Sequence, residues 1–166
     1  MKKLISILTL LFFFGLAPAQ IGFSKHQIKE KMDRGKYKRF EQIEVVEKEI
    51  TTLAYVKGEF GWVFFLSPSG NCYAFLRFYP DKRRQHRRIQ KKLSRNAIPI
   101  SEDLSDWIIP IKLPDGSTMA LLIEYRIVNN VLTLFDIPYD FVKNKYKIEP
   151  EIEEQIQKEL DLTKLH

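Results

Sequence analysis

Phe60-Gly61-Trp62-Val63-Phe64-Phe65-Leu66 runs into Ser67-Pro68-Ser69-Gly70-Asn71 and leaves through Cys72-Tyr73-Ala74-Phe75-Leu76-Arg77-Phe78-Tyr79. The first run is dense in aromatic and β-branched residues, which fit a pleated surface. Pro68-Ser69-Gly70-Asn71 is turn chemistry, because proline presets one dihedral and glycine and asparagine tolerate the others. The segment therefore reads as a β-hairpin. In its second strand Tyr73, Phe75, Arg77 and Tyr79 point one way, and Ala74, Leu76 and Phe78 the other. Both faces are largely apolar, so the hairpin is expected inside a sheet covered on both sides.

Outward from this hairpin, Leu53 to Val56 reads as a preceding strand, and a second β region follows. It comprises Trp107 to Leu113, interrupted by Pro110 as suits an edge, then Thr118 to Ile127 and Val131 to Ile137. Pro114-Asp115-Gly116-Ser117 and Val128-Asn129-Asn130 supply the turns. Connections this short imply antiparallel pairing.

Three helices frame the strands. Ser24 fits an N-cap, with Gln27 completing a capping box and Phe23 and Ile28 placed for a hydrophobic staple. The spacing predicts a helix over 24–33, with Gly35 as a plausible stop. Pro80-Asp81 ends a strand and opens a helix over 82–95. Ile152, Ile156 and Leu160 recur four apart behind Pro150, predicting an amphipathic helix over 150–162. Residues 36–50 are charged and carry no clear period. The fold class is α+β: an antiparallel sheet of about five to six strands in two meanders, with about three helices. The order hints at a duplicated helix-plus-meander unit of about 55 to 60 residues, without a residue-level repeat between the halves.

Lys2 and Lys3, an uncharged apolar run from Leu4 to Leu16, and Ala17-Pro18-Ala19 have the pattern of a cleavable secretory signal. Residues 1–19 are therefore expected to be removed, leaving residues 20–166 as a single domain of 147 residues. The apolar run of about 13 residues is short of the roughly 20 that span a membrane. Cleavage lowers the formal charge from +6 to +4, because Lys2 and Lys3 leave. No cysteine follows the run, which argues against a lipid anchor. The expected location is periplasmic or extracellular, free of the membrane after cleavage. Cys72 is the only cysteine, so it cannot form an internal disulfide, and burial on a strand is the expected fate.

Gly22-Phe23-Ser24-Lys25-His26-Gln27-Ile28 resembles the opening of SmpA/OmlA-type (BamE-like) outer-membrane assembly proteins, in which such a phrase starts a helix before a small antiparallel sheet. The likeness lies within residues 22–32. The chain departs from that lipid-anchored family in having no cysteine after the signal. The resemblance implies a BamE-like or β-lactamase-inhibitor-like α+β arrangement and non-catalytic work.

The most unusual feature is basic. Lys82, Arg83, Arg84, Arg87, Arg88, Lys91, Lys92 and Arg95 fall within fourteen residues. Clustered cations bind polyanions by displacing counterions, and arginine grips phosphates with paired hydrogen bonds. The competing reading is a solvated helix held down by Ile89 and Leu93. A further possibility is neutralisation by the acidic last helix, which carries Glu149, Glu151, Glu153, Glu154, Glu159 and Asp161. Export argues against cytoplasmic nucleic acid as the partner and leaves an envelope protein, an anionic polymer or an anionic lipid surface.

Catalytic chemistry is thin. His26 and Glu30 share a helix face, but zinc normally wants at least three protein ligands. His86 sits among arginines, and His166 ends the chain. Cys72 has no sequential link to an activating imidazole. Glu124 and Asp136 lie on adjacent predicted strands, where facing each other would pair two carboxylates, but their flanks favour a cross-strand contact to Arg126 or plain exposure. No Gly-rich phosphate loop or Gly-x-Ser-x-Gly phrase is present. The expectation is an exported, non-catalytic protein that acts by binding, without cofactor or metal. The alternatives are a polyanion-binding protein using residues 82–95 and a small hydrolase resting on Cys72, Glu124 and Asp136.

Overall fold

The structure is a computed structural model, described for residues 20–146 and 148–165. The signal sequence expected at 1–19, and His166, lie outside the described residues.

The described residues form an α+β fold, with three α-helices and one antiparallel sheet. Helix α1, Lys25–Met32, precedes strands β1 (Glu41–Glu47), β2 (Ile50–Lys57), β3 (Phe60–Leu66) and β4 (Cys72–Pro80). Helix α2, Arg83–Asn96, precedes β5 (Ile98–Pro99), β6 (Asp106–Lys112), β7 (Thr118–Val128) and β8 (Val131–Pro138). Helix α3, Pro150–Leu165, follows. The strand order is β1-β2-β3-β4-β8-β7-β6-β5. Two four-strand meanders thus meet along their last strands.

Among the described residues the sheet has eight strands, not the five or six expected. The two additional strands escape pattern reading for different reasons. β1 lies at an outer edge with all seven residues exposed, so no buried face imposes an alternation. β5 is only two residues long, too short for any period to show. β5 covers β6 only at Trp107 and Ile108, so Pro110 lies on an open stretch of edge.

Local chemistry explains the elements that were expected. The Ser24 hydroxyl accepts from the Gln27 N–H at 3.3 Å, and the Gln27 side chain accepts from the Ser24 N–H at 2.9 Å, closing the capping box. Asn129 and Asn130 both adopt positive φ, the backbone that a two-residue hairpin loop requires. The pairing of β3 with β4 shifts register beyond Phe65. This bulge sets Cys72, rather than Tyr73, opposite Leu66 and into the core with Phe75.

One face of the sheet carries two helices. α1 seats Ile28 and Met32 against Leu53, Phe64 and Phe75. α2 seats Ile89 and Leu93 against Ile123, Leu132 and Leu134. α3 lies on the opposite face, packing Ile156 against Ile108 and Leu122. The alternation of Leu122 and Ile123 along β7 separates the two layers. The acidic last helix therefore lies across the sheet from the basic α2 and is not placed to neutralise it.

Among the described residues, coverage on both sides also fails at the first hairpin. α3 packs on β6 and β7, and among the described residues the core clusters place no helix against the same face of β1–β4. Val63, Phe65, Leu76 and Phe78 are half-buried there. They shelter one another: Phe65 meets Phe135 edge-on with ring centroids 6.1 Å apart. Phe78 lies directly over Gly61, where an added Cβ would come within 2.1 Å of the ring. Gly61→Ala is expected to lower stability by about 1–3 kcal/mol through this overpacking, read as a shift in urea midpoint. The loss should disappear in a Phe78→Ala background; an equal loss in both would show that the ring does not set the cost.

Candidate functional site

α1 and α2 stand over opposite halves of the same sheet face, and the space between them is a cleft of about 940 Å³. That is the size of a pocket for a drug-sized organic molecule. Its walls are aromatic. The 3-10 turn Gly35–Arg39 and the residue after it bring Tyr37 and Phe40 against Trp62 of β3, with ring centroids 5.2 and 4.9 Å from that of Trp62. Phe60 and Tyr79 form a second edge-on pair at 6.3 Å.

Arg77 occupies the floor. It projects from β4 into the face shared by the helices, and only 4% of it is exposed. Its Nη2 donates to Asp136 Oδ1 at 2.7 Å, from a strand of the other meander. Asp136 is fully buried. The guanidinium lies 5.0 Å above the Phe75 ring. Among the described residues its Nε has no hydrogen-bond partner, nor have Asp136 Oδ2 and Gln20 Oε1. A buried guanidinium N–H without an acceptor costs free energy, and the guanidinium sets positive charge beneath the cleft floor.

The rim is cationic. Lys31, Lys57, Arg88 and Lys92 line the cleft, with Glu59 the single carboxylate among its lining residues. Burial pushes the Lys31 amine below its ordinary value. An anion with an apolar or aromatic body meets complementary chemistry here: charge at the floor and rim, rings between.

The basic residues predicted from sequence all fall on or immediately before α2. Ile89 and Leu93 are its buried contacts. Arg88 and Lys92 turn to the cleft, while Lys82, Arg84, Arg87 and Lys91 line a neighbouring groove of about 700 Å³. Arg83 and Arg95 line neither. His86 joins the Asp81 carboxylate through Nε2 and the Tyr125 hydroxyl through Nδ1, tying the start of α2 to β7. Burial raises the Tyr125 pKa, so its hydroxyl is a strut rather than an activated oxygen.

The suspects for catalysis do not assemble. Glu124 lies opposite Phe135 and Asp136 opposite Ile123, so the two carboxylates point to opposite faces of the sheet. Glu124 instead accepts from the Tyr146 hydroxyl at 2.8 Å, and Arg126 pairs with Asp106 at 2.7 Å. Cys72 is buried with its thiol directed to the Ala74 carbonyl, and burial pushes its pKa up to about 12. Glu30 pairs with Arg34. Among the described residues no cluster of three or more His, Cys, Asp or Glu could hold a metal ion, and no helix is long and apolar enough to cross a membrane.

Sequence reading placed Arg77 on the right face and passed over it. The available signal was a pair of lone opposite charges at inward positions of two apolar strands, Arg77 between Phe75 and Tyr79, and Asp136 after Leu132 and Leu134. Comparison with protein-family models, curated proteins and solved structures gives no match to the chain.

Two outcomes are expected. At pH 8 the folded protein's Cys72 reacts with a thiol reagent only as fast as the protein opens, and denaturant releases rapid labelling; fast labelling of the native state would contradict the buried position. Burial raises the Asp136 carboxyl from 3.8 to about 6, against the opposing pull of Arg77. The folded state thus holds this proton more tightly than the unfolded chain. The resulting stabilisation is fully present below pH 3.8 and is lost as pH rises through about 6. Urea melts across that window should show this decline, and Asp136→Asn should remove it.

Proposed function

We propose that this is an exported, non-catalytic binding protein whose cleft between α1 and α2 takes an anionic molecule with an apolar or aromatic body. The observation that carries the reading is Arg77, nearly buried at the floor of an aromatic cleft with its Nε unsatisfied. Export rests on the signal pattern at residues 1–19, and the working location is the periplasm or the extracellular medium. The hydrolase alternative loses its support, because Cys72 is inaccessible and Glu124 and Asp136 face apart. The two halves further read as a duplicated helix-plus-meander unit. Lys25 and Arg83 open their helices, and Phe60 and Thr118 open their third strands, each pair 58 residues apart.

Trp62 in the cleft wall provides the test. Titration of the protein from residue 20 with dodecanoate or an aryl carboxylate is expected to change tryptophan fluorescence, and Trp62→Phe to abolish the change. Arg77→Lys keeps the charge beside Asp136 but removes the guanidinium donors. It should weaken binding about 10- to 100-fold, as expected for a charged hydrogen bond worth about 1.5–3 kcal/mol. Lys31→Gln at the rim provides a variant that leaves the buried pair intact, with a smaller loss. Unchanged affinity in both variants, or no binding by either probe, would overturn the reading.

A further inference from the structure

The cleft does not end at the helices. Phe60, Gln85 and Arg88 line both it and the neighbouring groove on α2. That groove is walled by Lys82, Arg84, Arg87 and Lys91, with no carboxylate among its lining residues. All four are exposed. A continuous concave path therefore leads from the buried Arg77 guanidinium, past the Phe60 and Tyr79 rings, to a second concentration of positive charge.

The second concentration stands where it opposes its own helix. Backbone N–H groups at a helix start carry partial positive charge, and acidic residues normally occupy the first turn. α2 begins with Arg83 and Arg84, has no acidic residue in that turn, and lacks a side-chain cap at Lys82. Its buried contacts are only Ile89 and Leu93. Asp81, just before this turn, is engaged by His86, and departures from local rules are concentrated where function requires them. An anion lying in the groove would offset both the cation–cation and the cation–dipole repulsion.

Resting on the cleft as the binding site, we infer that the ligand is elongated and carries two separated anionic groups, one held by Arg77 at the floor and the other by Arg84, Arg87 and Lys91 outside. The apolar or aromatic body between them packs against Phe60, Trp62 and Tyr79. A ligand with an uncharged tail does not satisfy this geometry. Its tail would either lie over the buried Arg77 charge or leave the outer cations unanswered. The groups can be carboxylates or phosphates, since arginine pairs with both.

The experiment compares α,ω-dicarboxylic acids of increasing chain length with the monocarboxylic acids of matching length, followed by calorimetry at low salt. At the length that bridges the two regions, the diacid is expected to bind at least about tenfold more tightly than the monoacid, because linking two contacts makes the second intramolecular. The variant Arg84→Gln/Arg87→Gln/Lys91→Gln should remove that advantage, and Arg95→Gln, at the far end of α2, should retain it. A repeat with bis-phosphates distinguishes the headgroup. Equal binding of diacids and monoacids at every length, with both weakened by Arg77→Lys, would overturn the two-anion inference and leave the cleft reading standing. Binding of neither series to the wild-type protein would remove both. Heparin retention lost in the triple variant, with diacid affinity unchanged, would assign the groove to a polyanion and overturn the inference.

Discussion

The Arg77–Asp136 pair is the constraint on which the rest of the molecule is built. Its two members come from different meanders and meet across the seam between β4 and β8, the center of the sheet. Phe75 lies directly opposite Asp136, so Arg77 reaches it diagonally, a contact within range of a long side chain. Desolvating two ions costs several kcal/mol each, and attraction offsets this only with good geometry. A register slip along the seam would separate the charges and bury both unpaired. The pair is thus a poor source of net stability and a strong selector of alignment. It also fixes the height at which the guanidinium meets the cleft.

The two sheet faces solve different problems. On the helix-bearing face, α1 and α2 each bury few side chains and stand apart, so aromatic residues of the sheet and of the Tyr37–Phe40 segment line a gap rather than a closed core. On the other face, α3 seals β6 and β7 while the first meander relies on its own rings. Gly61 yields room to Phe78, and Phe65 leans on Phe135. The exposed outer strand has its own protection. Glu41, Glu44 and Glu47 punctuate β1, so antiparallel self-pairing about Glu44 would set like charges against one another.

Legibility of this structure in its sequence followed the strength of local signals. The hairpins and all three helices announced themselves through turn residues, a capping box and apolar spacing, and their limits fall close to the expected ones. β1 and β5 did not, since one lacks a buried face and the other lacks length. The cleft was hidden for a different reason. It is assembled from Tyr37 and Phe40 in a segment without period, Trp62 and Arg77 in the first meander, and Arg88 in α2. No spacing relates these residues; only the seam pairing brings them to one place. The β7–β8 pairing separates Glu124 from Asp136. Their parity across the β7–β8 hairpin depends on the turn's register, with Asn129 and Asn130 as its two loop residues, and that register sends them to opposite faces.

The strand order also sets a timetable. β4 is a central strand in the finished sheet, yet its partner β8 is the last strand to be made, with residues 81–130 lying between them. Until β8 arrives, β4 is an unpaired edge next to a meander whose second face is apolar, the kind of surface that recruits other chains. Closure must also bring together segments distant along the chain, which makes assembly slow relative to local hairpin formation. The first meander therefore spends its early life in need of shielding that the completed molecule supplies from within.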